Sequence, residues 1–271
     1  MPELPEVETI RRGLARELKG RQIEGVDWRP TKLRGGKSPL PLERLGGQRV
    51  TALRRHGKFL LWDLSGGGTF LAHLGMTGKF LFAEPGEQQR PHTHLVLSLD
   101  DERELRYSDP RRFGLLKLFP KGAGIPDLAH YGIDALDPAF TPKALGTMLA
   151  SSSAPLKAFL LDQTWIAGVG NIYACEALWR AGLSPRRKAR TTQKAKVAPL
   201  HKGILGALND SLAAGGSSFN DYVDAIGNEG RFMMEVAVFQ REGEDCPRCG
   251  AAIRRIVQSG RSTFYCPACQ K

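Results

Sequence analysis

The chain has 271 residues, enough for one large domain or two modest ones around a real core. It carries 39 Lys and Arg against 28 Asp and Glu, a formal net charge of +11, which points to a polyanionic partner. No apolar run approaches the ~18 residues of a membrane span, and the start lacks a basic-then-apolar signal region, so no membrane span is predicted, and a cytoplasmic location without a membrane partner is expected.

Charge alone selects no activity, since a basic ribosomal or membrane-surface protein has the same balance. The first distinctive stretch is Met1 to Glu6. Removal of Met1 leaves Pro2 with a free secondary amine. An α-amine titrates near 7.7–8.0 against about 10.4 for lysine, so roughly a tenth of it is free base at neutral pH. That is a usable nucleophile for a masked aldehyde, with the carboxylates of Glu3 and Glu6 within a few residues. Val7, Ile10, Leu14 and Leu18 then recur at helical spacing, with Pro5 near the first turn and Glu6 within it. Gly20 marks the stop.

Short β-rich runs follow at 49–53, 58–64, 69–74, 95–99 and 113–119, punctuated by Gly46-Gly47, Gly66-Gly67-Gly68, Pro85-Gly86 and Asp100-Asp101. Leu95, Leu97 and Leu99 alternate as in a half-buried strand. The pattern predicts a sandwich or barrel through about residue 130. From about Asp134 the character is helical. Pro155 opens a short segment with Leu156, Phe159 and Leu160 on one face. A glycine turn at 167–170 precedes Asn171, a strong N-cap for a helix ending near Gly182. Such a turn presents free N–H groups, a good seat for a phosphate. Cys175 shares a face with Ile172 and Leu178 and reads as a buried small hydrophobe. Leu200, Ile204, Leu208 and Leu212 mark a further helix ending at Gly215-Gly216, whose start Pro199 leaves open. Residues 217–232 read as a loop.

The tail carries the sharpest spacing. Cys246-Pro247-Arg248-Cys249 and Cys266-Pro267-Ala268-Cys269 are separated by 16 residues, which fits one four-cysteine zinc site. Four thiolates leave no open coordination position, so the metal is expected to be structural. Arg254, Arg255 and Arg261 fall on a hairpin between the pairs, with Ser259-Gly260 at its turn. Residues 29–58 hold nine Lys or Arg and one acid, and 186–202 hold seven and none. Together with the basic hairpin they read as a nucleic-acid footprint.

Five blocks tie these features to one family. The opening MPELPEVETIRRGL resembles the start of the bacterial formamidopyrimidine-DNA glycosylases of the Fpg/Nei family. His56-Gly57-Lys58, the stretches His73–Gly78 and Asp109–Gly114, and Gln163–Glu176 resemble the family's other motifs in the same order. The resemblance implies an α+β multidomain chain: an N-terminal β-sandwich with a leading helix (1–133), a helical helix–two-turn–helix domain with a lesion-capping loop (134–232), and a zinc-finger β-hairpin (233–271). It implies a monomeric glycosylase and abasic-site lyase for oxidised purines in duplex DNA, with one structural zinc and no organic cofactor. Pro2 and Glu3, with Lys58 and Arg261, become the catalytic set. Lys58, Met76, His92, Arg111, Arg112, Phe113, Lys157, Asn171 and Arg261 become DNA contacts, while Glu6 and Glu176 organise the site. Within that set Met76, Arg111 and Phe113 fill the gap left by the flipped nucleotide. Residues 231–240 (RFMMEVAVFQ) depart from the more polar family pattern, which bears on lesion preference.

Two other readings stay open from the sequence. One is the related endonuclease VIII type, which prefers oxidised pyrimidines. The other is a non-enzymatic zinc-ribbon protein that binds nucleic acid. Read apart from the family, Met76 and Phe113 are ordinary core residues beside strands.

Overall fold

A computed structural model describes residues 2–29, 31–216 and 235–271. They divide into two compact units, one within 2–129 and 215–216 and the other within 130–214 and 235–271. The lesion-capping loop expected at 217–230 lies outside the described residues.

The first unit opens with helix α1, Leu4–Leu18, whose stripe of Leu4, Val7, Ile10, Leu14 and Leu18 is buried. Eight strands follow: β1 (Ile23–Trp28), β2 (Val50–His56), β3 (Phe59–Leu64), β4 (Thr69–His73), β5 (Lys79–Ala83), β6 (Thr93–Leu99), β7 (Glu104–Ser108) and β8 (Leu115–Phe119). They make two antiparallel four-stranded sheets, ordered β1-β6-β7-β5 and β2-β3-β4-β8. Trp62 of one sheet meets Phe80 of the other at 5.4 Å between ring centroids, and Phe70 and Tyr107 extend this aromatic core to either side. The expected sandwich is therefore present, with α1 contributing Val7, Ile10, Leu14 and Leu18 to the same core. Two expected strand ends shift. Lys58 is in the two-residue turn between β2 and β3, where Gly57 takes φ 56°, and Phe113 precedes β8 in a loop.

The second unit holds α2 (Pro142–Ala150), α3 (Leu156–Leu161), α4 (Asn171–Ala181) and α5 (Lys194–Ala213), with a two-strand parallel pairing of β9 (Ile133–Asp134) and β10 (Ile166–Ala167). Gly182 closes α4 in the left-handed region at φ 66°, as expected of a glycine C-cap. The N-cap of α4 is Gly170 and not Asn171, which sits at the first helical position with its side chain turned elsewhere. Helix α5 starts at Lys194 and runs through Pro199. The proline forgoes one backbone bond, and the buried row Leu200, Ile204 and Leu208 holds the helix together across it. Strands β11 (Arg254–Gln258) and β12 (Arg261–Tyr265) form the basic hairpin, turned by Ser259 and Gly260 at φ 49° and 70°.

Among the described residues, no helix is long and apolar enough to cross a membrane.

Candidate active site and nucleic-acid interface

The N-terminus is fixed from below. Glu3 is the N-cap of α1 and is buried, while Glu6 reaches back to accept its backbone N–H at 2.8 Å in a reciprocal capping box. Proline at position 5 suits the first turn because its missing N–H has no helical partner there. The Glu3 carboxyl is thus placed immediately after Pro2 by the start of the helix. One turn further, the buried Glu8 binds three guanidiniums: Arg11 and Arg12 at 2.8 Å and Arg55 at 3.2 Å. Burial works to raise the Glu8 pKa, but Arg11, Arg12 and Arg55 outweigh it and hold the carboxyl down at about 2. Arg55 also donates to the Gly57 carbonyl at 2.9 Å, so this node ties α1 to the turn that carries Lys58. Lys58 itself is buried. Burial, and then the nearby Lys58 charge, push His73 down to about 4. The neutral ring accepts the Gly75 N–H on Nδ1 at 3.1 Å, setting the start of the loop that carries Met76.

Met76 is 39 % exposed at the tip of that loop, so the core reading fails for it. Phe113 is half-buried, with the Arg111 and Arg34 guanidiniums over its ring at 4.6 and 5.5 Å. Arg111, Arg112 and His92 are exposed, and both Arg112 and His92 occupy the left-handed backbone region. Isolated non-glycine residues there are uncommon and are held by their surroundings.

In the second unit the expected residues converge on the hairpin. Asn171 donates its side-chain N–H to the Ser262 carbonyl at 3.1 Å, and Lys157 donates to that carbonyl and to Thr263 Oγ1, each at 2.7 Å. Lys157 is 0 % exposed. A direct phosphate contact, as the resemblance implies, does not fit this placement, because the ammonium is spent beneath β12. Arg261, at the start of β12, is exposed. Lys157→Met should therefore loosen β12 in the protein without DNA. Losing bonds from a charged donor costs about 1.5–3 kcal/mol, so the Thr263 and Phe264 amides should exchange with solvent roughly ten- to a hundredfold faster. Native exchange rates there would return Lys157 to the phosphate role.

Glu176 is buried on α4 and accepts the N–H groups of Ala237, Val238 and Phe239 at 2.9–3.0 Å. It anchors the described end of the divergent 231–240 stretch. Cys175 is buried, and burial pushes its thiol up to about 11, in keeping with an inert packing residue.

The four tail sulfurs all lie within 4.8 Å of one another, with Cys246 and Cys269 at 3.9 Å and Cys249 and Cys266 at 3.5 Å. A tetrahedral zinc with bonds of about 2.3 Å needs sulfurs about 3.8 Å apart, so the donor set fits. The Trp179 indole N–H points at Cys246 Sγ at 3.4 Å and Arg248 covers the same indole at 4.3 Å, fastening the cluster to α4. Cys249→Ser should release the zinc and weaken DNA binding at least tenfold, because structural zinc supplies much of the folding free energy of such small segments. The sandwich should keep its native circular dichroism. Full DNA affinity in the metal-free variant would remove zinc from a structural role.

Sequence reasoning missed the Glu8–Arg55 node and Asp109 as a structural centre. Glu8 followed by arginines at i+3 and i+4 was a visible signal for the first. The second depends on contacts between distant loops.

Family models match three consecutive segments: the formamidopyrimidine-DNA glycosylase N-terminal domain over residues 1–116, its H2TH domain over 131–223, and a zinc finger found in FPG and IleRS over 243–271. A formamidopyrimidine-DNA glycosylase of Paracoccus denitrificans is 45 % identical, with both chains covered in full. The crystal structure of the MutM (Fpg) protein from Thermus thermophilus superposes with a TM-score of 0.87 at 41 % identity, covering 99 % of this chain and 98 % of that one. A Lactococcus lactis Fpg mutant in complex with Fapy-dG DNA gives 0.89 at 32 % identity over the whole of both chains. The N-terminal motif, the braced loops and the four-sulfur cluster thus stand in a sequence and fold shared end to end, and the chain belongs to the formamidopyrimidine-DNA glycosylase family.

Proposed function

We propose that the protein is a bifunctional DNA glycosylase and abasic-site lyase that removes oxidised purines, 8-oxoguanine and formamidopyrimidines, from duplex DNA. The observation that carries this reading is the buried Glu3 carboxyl at the head of α1, directly after the Pro2 amine and held by Glu6. Solved relatives were captured with carbocyclic 8-oxo-G DNA and with abasic-site DNA, which supports the same substrate class. The protein acts in the cytoplasm, on the nucleoid, as a monomer.

Arg261, Asn171 and the surrounding basic residues grip phosphates, and the lesion turns out of the stack. With Met1 removed, the Pro2 nitrogen attacks the sugar C1′, and the bond from C1′ to the base breaks, the base leaving with a proton. Glu3 supplies and receives protons as the sugar ring opens. The product is an iminium at C1′, which draws electrons and acidifies the C2′ hydrogens. Loss of a C2′ proton expels the 3′ phosphate, and a second elimination expels the 5′ phosphate. Water then releases Pro2. Lys58 fits the role of a cation beside the phosphate of the lesion. Glu6 and Glu176 do not react. Glu6 orients Glu3, and Glu176 anchors Ala237–Phe239. Lys157 acts as a support for the Arg261 hairpin.

Met76, Arg111 and Phe113 enter the space left by the flipped nucleotide, recovering part of the few kcal/mol that unstacking costs. Arg111 reads the widowed base. A guanidinium offers only donors. Cytosine presents O2 and N3 as adjacent acceptors, whereas adenine sets an amino donor beside N1. A bidentate contact discriminates by about 1–3 kcal/mol, or roughly 5- to 150-fold.

Single-turnover excision on matched duplexes tests the assignment. The native protein should cut 8-oxoguanine opposite C in preference to A. Arg111→Ala should erase most of that difference, while Arg112→Ala should lower both rates alike. No excision of oxidised purines, with cleavage of oxidised pyrimidines instead, would move the chain to the endonuclease VIII type. A relative has been captured on oxidised-pyrimidine DNA, so that duplex belongs in the assay.

A further inference from the structure

Asp109 lies at the centre of the loops just described and is itself 0 % exposed. One carboxylate oxygen accepts the Thr77 hydroxyl from the Met76 loop. The other accepts the Gly114 N–H at 2.8 Å and the Tyr107 hydroxyl at 3.3 Å. Its backbone continues the pattern. The Asp109 N–H donates to the His92 carbonyl at 3.1 Å, and its carbonyl accepts from Arg112 N–H at 3.1 Å and lies 3.0 Å from His94 Nε2. Thr77 Oγ1 also accepts the Arg111 N–H at 3.3 Å, so a single hydroxyl bridges the two loops.

The loops meet backbone to backbone around this carboxylate. A Cβ on Gly75 would lie 2.5 Å from the Phe113 carbonyl group, and one on Gly114 would lie 1.9 Å from the Tyr107 hydroxyl. Burial, reinforced by the Asp109 charge, keeps Tyr107 protonated, so it remains a donor to the carboxylate. A fully buried carboxylate is costly unless it is well hydrogen-bonded, and here the donors come from β7 and from both loops. The one group they share fixes where Met76, His92, Arg111 and Phe113 stand relative to each other.

We propose that Asp109 is a positioning residue that locks the Met76 loop and the Arg111–Phe113 loop into one rigid wedge, setting the geometry with which the wedge enters the duplex and reads the opposite base. This rests on the functional reading above. It goes beyond that reading in making the three inserted side chains a single unit under the control of a residue that never reaches DNA.

The test compares Asp109→Asn and Thr77→Val, with Thr77→Ser as the conservative control. Thr77→Val keeps shape and removes only the bridging hydroxyl at a partly exposed position, so it does not threaten folding. Two quantities are read: single-turnover excision of 8-oxoguanine opposite C and A, and borohydride trapping on a single-stranded abasic oligonucleotide, which has no stack to enter and no opposite base. Misplacement by a fraction of an ångström to 1 Å should cost on the order of ten- to a hundredfold in duplex excision. The preference for C over A should collapse with it in both variants, Thr77→Ser should restore both, and single-strand trapping should stay within about twofold of native. An unchanged C-over-A preference would overturn the proposal, and so would a fall in single-strand trapping that matches the fall on duplex. If the native chain traps on neither substrate, the functional reading itself fails, an outcome distinct from either.

Discussion

A protein that retains Met1 should give no borohydride-trapped adduct with abasic DNA, whereas the processed protein should give one that maps to Pro2. Retention converts the Pro2 nitrogen into a tertiary amide, whose lone pair is delocalised into the carbonyl and cannot attack C1′. The effect is loss of covalent chemistry altogether and not a reduced rate. Duplex binding should persist, because the basic residues and the zinc hairpin are untouched. Mass spectrometry of the trapped peptide identifies the nucleophile. An adduct on Lys58 would sink the assignment. Lys157 is a poor competitor on the geometry, since it is fully buried with its ammonium bonded beneath β12.

Glu3→Gln should reduce base excision by about 10²- to 10⁴-fold, the usual contribution of a positioned acid or base, while leaving duplex affinity within a few-fold of native. The substitution removes the ionisable group and keeps the shape. Glutamine still offers a carbonyl oxygen to the Glu6 N–H, so the cap of α1 survives and the stability change should stay below about 1 kcal/mol. The informative measurement is single-turnover release of 8-oxoguanine alongside the melting temperature. Native excision by a folded Glu3→Gln protein would strip Glu3 of its acid–base role. A large drop in melting temperature would instead make the N-cap its main contribution.

Much of this arrangement was legible in the chain before folding. The 3- and 4-residue spacing from Val7 to Leu18 marks α1 because a helix must bury one stripe. The two cysteine pairs mark the metal because two C-x-x-C pairs sixteen residues apart can bring four thiolates onto one tetrahedral ion. Alternation at Leu95, Leu97 and Leu99 found β6. It did not find β1, where Gly25 interrupts the run, or β7, where Arg106 is buried against Glu104 and two loop carbonyls. Local pattern also misplaced Asn171 as the N-cap of α4 and gave no sign that Lys157 is buried. Both side chains donate to the Ser262 carbonyl, a partner more than ninety positions away. Contacts of that range are decided by tertiary packing and leave no mark in local spacing.

The node at Glu8 constrains how this region can change over time. One carboxylate offsets Arg11, Arg12 and Arg55, of which Arg55 also holds the turn before Lys58. Losing the acid first would leave three like charges crowded together without the carboxylate they share, the Arg55 guanidinium being the most buried of them. Losing an arginine first leaves two others to balance the same acid, a far milder step. Substitutions here are therefore strongly non-additive, and their order matters. A lineage can thin the arginines one at a time and then retire the acid, but the reverse path passes through an intermediate that destabilises the catalytic end of the helix.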